Sequence, residues 1–171
     1  NHRRCPSTHA NGDPLTNMLR IVLADDHTLV RKGFRLLLES ESNVTVVGEC
    51  GDGHSVLPLV AHHQPDLVII DVTMPGLNGL EALEHIIHDH PTQKVLMLSM
   101  HAADEYVLRA LRLGARGYLL KDAADVELVQ AVQTVASGGI YLSPAVAGHL
   151  VEDYRRLSSD RKPAPSGARV A

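Results

Sequence analysis

Five short apolar runs recur along the chain, and each is followed by a stretch with helical spacing. The runs occupy residues 20–24, 44–48, 67–70, 95–98 and 117–120. Near-continuous Val, Ile and Leu over so few residues is typical of strands buried on both faces of a parallel sheet. The intervening stretches repeat apolar side chains every three or four residues, as amphipathic helices do. The alternation predicts an α/β fold, a (βα)5 doubly wound parallel five-stranded sheet.

The composition indicates which side chains build the core, which partners are unfavoured and in which compartment the protein is expected. Hydrophobic residues make up 44% of the chain but aromatics only 3%, so an aliphatic core is expected. The net charge of −4 gives no general attraction to nucleic acid or anionic membranes. No apolar run approaches the ~18 residues needed to span a bilayer, so no membrane association is expected. Two distant cysteines indicate no disulfide framework and favour a cytoplasmic protein.

The pattern divides the chain into four segments. Residues 1–17 are polar, contain Pro and Gly, and are predicted to be a disordered leader. Residues 18–140 hold the alternating unit. In residues 141–157, the pair Ser143-Pro144 is typical of a helix start and predicts a short extra C-terminal linker helix. Residues 158–171 are rich in Pro, Gly and basic residues and are predicted to be a flexible tail.

Polar residues stand at the predicted carboxyl ends of four of the strands. They are Asp25 and Asp26 after the first strand, Asp71 at the third, Ser99 at the fourth and Lys121 at the fifth. Taken singly, each is more often a helix cap, a turn residue or a solvated charge. Ligands of open parallel sheets bind beyond these strand ends, so five such residues in order favour one functional site.

The chemistry of that set points to a metal and a phosphoryl group. Three converging carboxylates would repel one another unless a hard divalent cation lay among them, and Mg²⁺ suits oxygen ligands that leave room for water. A nearby lysine supplies a point charge for a phosphoryl oxygen. The set therefore allows a metal-assisted acyl phosphate on an aspartate.

Over about residues 19–139 the chain resembles the receiver family of two-component signalling response regulators. The matching pieces are Asp25-Asp26-His27, the run DVTMPG at 71–76 with Gly79, Ser99, and the run GYLLKD at 117–122. The DDH, LSMH and GARGYLLKD stretches are most similar to the NarL/FixJ subfamily. The resemblance implies a flavodoxin/CheY-like fold.

The resemblance also implies roles for the site residues. Asp71 would be the phosphoacceptor. Mg²⁺, or alternatively Mn²⁺, would be bound by Asp26, Asp71 and the main-chain carbonyl of Thr73, with Asp25 acting through water. Ser99 and Lys121 would bind the phosphoryl oxygens.

The resemblance also implies which residues respond to the phosphoryl group. Ser99 and Tyr118 would form the switch, with the Tyr118 ring turning inward as Ser99 moves. The alternative is a half-buried Tyr118 with its hydroxyl in water. Thr73, Met100 and His101 would tune the reaction.

The implied function is a phosphorylation switch rather than a turnover enzyme, with self-catalysed phosphotransfer and dephosphorylation. The phosphoryl donor would be a sensor histidine kinase, and phosphorylation could produce a homodimer. The dimer face is either the fourth helix, last strand and fifth helix or the first and fifth helices. NarL/FixJ proteins usually continue into a helix-turn-helix domain that controls transcription. The 14 residues after position 157 cannot hold one, so DNA binding is expected only through a domain not present in this chain.

Two other functions are weighed against this one. A haloacid-dehalogenase-type phosphatase also uses an Asp nucleophile and Mg²⁺, but it needs a second Asp two residues later, where this chain has Thr73. A stand-alone receiver acting by protein–protein interaction, with or without a working pocket, is the second alternative. The complete set Asp26, Asp71, Ser99 and Lys121 argues against a dead pocket.

Overall fold

Six parallel strands form one sheet in the computed structural model of the chain, which describes residues 18–160. The predicted leader and residues 161–171 of the predicted tail lie outside the described residues. The strands are β1 Leu19–Ala24, β2 Val44–Cys50, β3 Leu67–Asp71, β4 Lys94–Ser99, β5 Gly117–Leu120 and β6 Tyr141–Leu142. The helices are α1 Thr28–Glu39, α2 Gly53–His63, α3 Gly79–Asp89, α4 Asp104–Leu113, α5 Ala124–Ala136 and α6 Pro144–Asp160, with a 3-10 turn at Lys121–Ala123.

The strand order is β2-β1-β3-β4-β5-β6, and every neighbouring pair is parallel. This confirms the predicted doubly wound CheY-like fold. The predicted count of five strands is wrong by one, because β6 adds two residues beside β5, with Tyr141 opposite Gly117 and Leu142 opposite Tyr118. A two-residue strand shows no periodicity in a sequence, and only its pairing with β5 makes it a strand.

The core lies in two layers, one on each face of the sheet. One layer is packed by α2, α3, α4 and the start of α6, and the other by α1 and α5. Every residue of β3 is buried, as expected for a strand covered by helices on both faces. The buried side chains are almost all aliphatic, with Phe34 and Tyr118 as the aromatic members of the described core.

The last helix is longer than predicted. Its predicted end near Leu157 is wrong, since α6 continues to Asp160. No Pro or Gly occurs between His149 and Asp160 to stop it. Residues 158–160 are therefore helical rather than part of the tail. None of the described helices combines the length and the apolarity that a membrane crossing requires.

Candidate functional site

The strand order brings the predicted polar residues to one edge of the sheet. β1 lies next to β3 although β2 comes between them in the sequence, and this crossover opens a crevice beyond their carboxyl ends. Asp25 directly follows β1, and Asp71 is the last residue of β3. Ser99 ends β4, and Lys121 directly follows β5. The short apolar strands thus deliver all of these side chains to one crevice.

Three carboxylates and one imidazole form an acidic cluster at this edge, made of Asp25, Asp26, His27 and Asp71. One ligand atom from each lies within 4.8 Å of those of the others. Asp25 is completely buried and Asp71 is 2% exposed, whereas the Asp26 side chain is 30% exposed. The cluster therefore has a closed inner side and an open outer side.

Lys121 reaches into the cluster and contacts its two buried carboxylates. Its Nζ donates to Asp71 Oδ2 at 2.7 Å and to Asp25 Oδ1 at 3.0 Å, and its side chain is only 5% exposed. Burial lowers the pKa of Lys121, but the hydrogen bonds to Asp71 and Asp25 outweigh burial and raise the pKa above its usual value. Lys121 is therefore charged and holds the two buried carboxylates together.

Burial dominates the ionisation of Asp71. Desolvation raises the pKa of Asp71 to about 6, although the hydrogen bonds from Lys121 Nζ and from the Thr73 N–H, at 3.1 Å, act in the opposite direction. The neighbouring Asp25 carboxylate adds to the rise. Near neutral pH Asp71 is thus a largely ionised carboxylate in a poorly solvated position, with two donors that orient its oxygens.

The acidic cluster fits a hard divalent cation. Lys121 Nζ lies 2.9 Å from Asp25 Oδ2, but the contact lacks hydrogen-bond geometry, and this buried oxygen has no hydrogen bond among the described residues. A buried carboxylate oxygen without a hydrogen bond is costly, and a bound cation or its water would relieve that cost. The oxygen-rich donor set suits Mg²⁺ or Mn²⁺.

A hydrogen-bonded path leads from this edge to the interior of the domain. The Ser99 Oγ accepts from the His101 N–H at 2.9 Å, and the His101 carbonyl accepts from the Tyr118 hydroxyl at 3.0 Å. Ser99 is 1% exposed and Tyr118 is completely buried. The half-buried alternative for Tyr118 is wrong, because its ring is inside and its hydroxyl is bound to the main chain.

The family model described as the response regulator receiver domain matches residues 21–133. The chain belongs to this family. The chain is 41% identical over 144 residues to the transcriptional regulatory protein DegU of Brevibacillus brevis, covering 84% of this chain and 61% of DegU. It is 41% identical over 137 residues to the oxygen regulatory protein NreC of Staphylococcus carnosus, covering 80% of this chain and 63% of NreC. The receiver thus spans somewhat less than two thirds of the length of these relatives.

Solved structures agree with the family. A LuxR-family two-component response regulator from Aurantimonas sp. SI85-9A1 is 36% identical with a TM-score of 0.78, covering 80% of this chain and 98% of that one. The receiver domain of NarL from Mycobacterium tuberculosis is 38% identical with a TM-score of 0.68, covering 71% and 98%. The predicted receiver family and its NarL-like subfamily are confirmed, and neither the phosphatase nor the stand-alone alternative is favoured.

The receiver gathers the sequence-predicted residues into an inner and an outer group. The side chains of Asp25, Asp71 and Lys121 are buried and in mutual contact, and the buried Ser99 ends the neighbouring strand β4. The three residues assigned to tuning lie outside that group, and all of them are exposed: Thr73, Met100 and His101.

His27, which directly precedes α1, is a member of the acidic cluster in addition to the site residues assigned from the sequence. Its Nδ1 lies 3.2 Å from Asp26 Oδ1 and 3.4 Å from Lys121 Nζ. The signal available in the sequence was its position directly after the acidic pair. An apolar cavity of about 660 Å³ begins beside it, lined by Val30, Phe34 and Met100 among others.

Proposed function

We propose that this receiver accepts one phosphoryl group on Asp71. The observation that carries the proposal is the position of its carboxylate, which is 2% exposed, at a strand end and 2.7 Å from a buried lysine ammonium. A carboxylate in poor solvent is a better nucleophile than one in water, and its pKa of about 6 leaves it largely ionised near neutral pH. Attack by an Asp71 oxygen on phosphorus would form the new O–P bond while the donor's bond to phosphorus breaks.

Lys121 and Ser99 are the residues proposed to bind the phosphoryl oxygens. The Lys121 ammonium pairs with two carboxylates, and after transfer it would pair with the phosphoryl oxygens in place of the esterified Asp71 carboxylate. The Ser99 oxygen accepts from the His101 N–H, and this contact does not use the hydroxyl hydrogen, which can be donated to a phosphoryl oxygen. Lys121 already contacts Asp71, and the buried Ser99 ends the next strand, so both groups are placed to bind the charge that develops.

A divalent cation completes the proposed site. We assign its ligands to Asp26, Asp71 and the main-chain carbonyl of Thr73, with Asp25 acting through water, and Mg²⁺ or Mn²⁺ as the ion. When bound, the cation neutralises charge on the phosphoryl oxygens and on the carboxylates. Support comes from the buried Asp25 oxygen without a hydrogen bond and from the oxygen-rich donor set.

The donor and the output follow from the family. We propose a sensor histidine kinase as donor, with phosphotransfer and dephosphorylation catalysed by the receiver itself and stoichiometric rather than multiple turnover. One matched relative is named a transcriptional regulatory protein, and one matched structure shows RcsB dimers bound to DNA. The output proposed here is therefore control of transcription through a DNA-binding domain outside this chain, in a cytoplasmic protein that dimerises on phosphorylation.

Intact-mass measurement after incubation with acetyl phosphate and Mg²⁺ tests the acceptor. One added phosphoryl group is expected in the wild type and in Asp89→Asn, whose carboxylate is exposed at the end of α3. The addition should be lost in Asp71→Asn and when EDTA replaces Mg²⁺. Undiminished labelling of Asp71→Asn would place the acceptor elsewhere, and an unlabelled wild type would argue for a non-phosphorylated interaction module.

A further inference from the structure

Ser143 is a buried polar residue at the start of α6, and it is bound to the strand that leads into Lys121. Its side chain is 1% exposed. Its N–H donates to the Tyr118 carbonyl at 3.0 Å, and its Oγ accepts from the Leu120 N–H at 3.0 Å. One serine therefore satisfies two main-chain groups of β5 and holds the start of α6 against the end of that strand.

These contacts extend the path that begins at the phosphoryl site. Ser99 Oγ is bound to the His101 N–H, the His101 carbonyl to the Tyr118 hydroxyl, and the Tyr118 carbonyl to the Ser143 N–H. Each neighbouring pair is in direct hydrogen-bond contact. The second hydrogen bond of Ser143 is with Leu120, the residue before Lys121. The start of α6 is therefore bound both to Tyr118 and to the residue that precedes Lys121.

The contacts of α6 are concentrated in its first half. Val146 is completely buried in the same cluster as Tyr118, and Leu150 packs against that cluster. Beyond them Val151, Tyr154 and Leu157 are 51%, 73% and 63% exposed. The docking of this helix on the receiver therefore rests on Ser143 and on about its first two turns.

We propose that Ser143 is a positioning residue that couples the phosphoryl site to α6. A shift of Ser99, His101 or Tyr118 changes the hydrogen bonds available to Ser143 and so changes the stability of the first turns of α6. Because coupling between two sites is reciprocal, docking of α6 through Ser143 also holds Leu120 and therefore the Lys121 ammonium in place. The phosphoryl input to this path rests on the proposed function, whereas the path itself does not.

The coupling can be tested without any phosphoryl group, by native-state amide hydrogen exchange of residues 146–150. Tyr118→Phe removes only the hydroxyl that contacts His101. In the wild-type background it should speed exchange of these amides roughly three- to tenfold, the size expected for losing one buried hydrogen bond. In the Ser143→Ala background the same change should have a much smaller effect, because alanine keeps the main-chain contact with the Tyr118 carbonyl but loses the Oγ contact with the Leu120 N–H that fixes α6 to the end of β5. Ser137→Ala, whose hydroxyl is bound on the exposed end of α5, is the matched background and should behave as wild type.

Two outcomes of this cycle overturn the proposal. One is unchanged α6 exchange in Tyr118→Phe. The other is an equal acceleration by Tyr118→Phe in the wild-type and Ser143→Ala backgrounds, since independent effects would be additive. If Ser143→Ala does not fold, Ser143→Thr keeps the hydroxyl, and restored folding with the wild-type response to Tyr118→Phe supports the positioning role. Ser143→Thr without that response contradicts it.

A second experiment adds the phosphoryl input, using beryllofluoride with Mg²⁺ and amide NMR shifts. Val72 and Thr73, next to Asp71, should shift in wild type, Ser137→Ala and Ser143→Ala alike. The Val146 amide should shift in the first two proteins. In Ser143→Ala it should shift by less than about half as much, because the contact between the Ser143 Oγ and the Leu120 N–H is lost. Equal Val146 shifts in all three overturn the coupling. No shift at Val72 and Thr73 in the wild type contradicts the proposed function instead, and the exchange cycle still decides the role of Ser143.

Discussion

The carboxylate of Asp71 lies where burial and a buried lysine act on it in opposite directions. Lys121 and the Thr73 N–H favour its charged form, while desolvation and Asp25 disfavour it, and desolvation prevails. The folded protein therefore binds a proton at Asp71 more tightly than the unfolded chain does. Such a position costs stability when the carboxylate is charged, and strongly shifted pKa values of this kind are common at reactive sites.

Asp71→Asn should stabilise the receiver in a way that depends on pH. The pKa of Asp71 is raised from 3.8 to about 6, so ionisation destabilises the fold fully above about pH 6 and not at all well below pH 3.8. Asparagine removes that titration, so the free energy of unfolding should rise on the order of 2 kcal/mol near neutral pH and by less as the pH falls toward about 4.

Urea denaturation in EDTA across this pH range measures the effect. Asp89→Asn removes an exposed carboxylate on α3, serves as the control and should change stability by little at any pH. A destabilised Asp71→Asn at neutral pH would show that the Lys121 hydrogen bond outweighs desolvation.

At the scale of elements, the start of α3 is pressed against the end of β3. The Gly79 N–H donates to the Val72 carbonyl at 2.9 Å, and the Asn78 side chain caps the helix by accepting from the Glu81 N–H. A Cβ at Gly79 would lie 2.0 Å from the Asp71 carbonyl oxygen, far inside van der Waals contact. Glycine is needed there so that the helix can approach the peptide of Asp71.

Gly79→Ala should therefore destabilise the receiver and displace Asp71. The overpacked backbone should lower the free energy of unfolding by roughly 2 kcal/mol and slow labelling by acetyl phosphate. Gly33→Ala is the matched control on α1, where an added Cβ meets nothing within 4 Å, and it should stabilise by about 0.5–1 kcal/mol. Urea denaturation and intact-mass kinetics check both variants, and equal behaviour of the two would contradict the close-approach argument.

For the whole molecule, the edge of the sheet beside β5 is covered by the chain itself. β6 pairs with β5, and α6 packs against α4 and β5. On the other face of the sheet, the apolar cavity is open beside Val30 of α1, which is 38% exposed, and Val126 of α5 is 81% exposed outside the cavity. Lys32 on α1 faces outward, as do Asp122 and Asp125 near the start of α5, so two copies related by a two-fold axis could pair opposite charges there.

Dimerisation should therefore use the α1–α5 face rather than the α4–β5 face. Beryllofluoride with Mg²⁺ should shift the wild type toward a dimer in light scattering, and Val30→Asp should reduce dimer formation at least about tenfold, because burying an unpaired carboxylate costs more than 1.4 kcal/mol. Leu108→Asp on α4 is the matched control, since Leu108 is 40% exposed and Val30 38%. Loss of the dimer in Leu108→Asp alone would assign the interface to the α4–β5 face.

Much of this arrangement could be predicted from the sequence, because the signals concerned are local. A strand buried on both faces must be apolar throughout, so β3 shows as the run LVII and its end shows as Asp71. The alternation of such runs with helical spacing determined the fold class and which residues end the strands. Since parallel strands end at one edge, the sequence also predicted that Asp71, Ser99 and Lys121 meet.

Only the tertiary structure decided the features that depend on partners distant in sequence. The inward ring of Tyr118 depends on a carbonyl 17 residues away, and the burial of Ser143 depends on a main-chain N–H 23 residues away. β6 is a strand only because β5 lies beside it, and the elevated pKa of Asp71 arises from packing that excludes water. None of these has a local pattern, because hydrogen bonds and desolvation depend on which atoms the fold brings together, whereas periodicity records only which face of an element is covered.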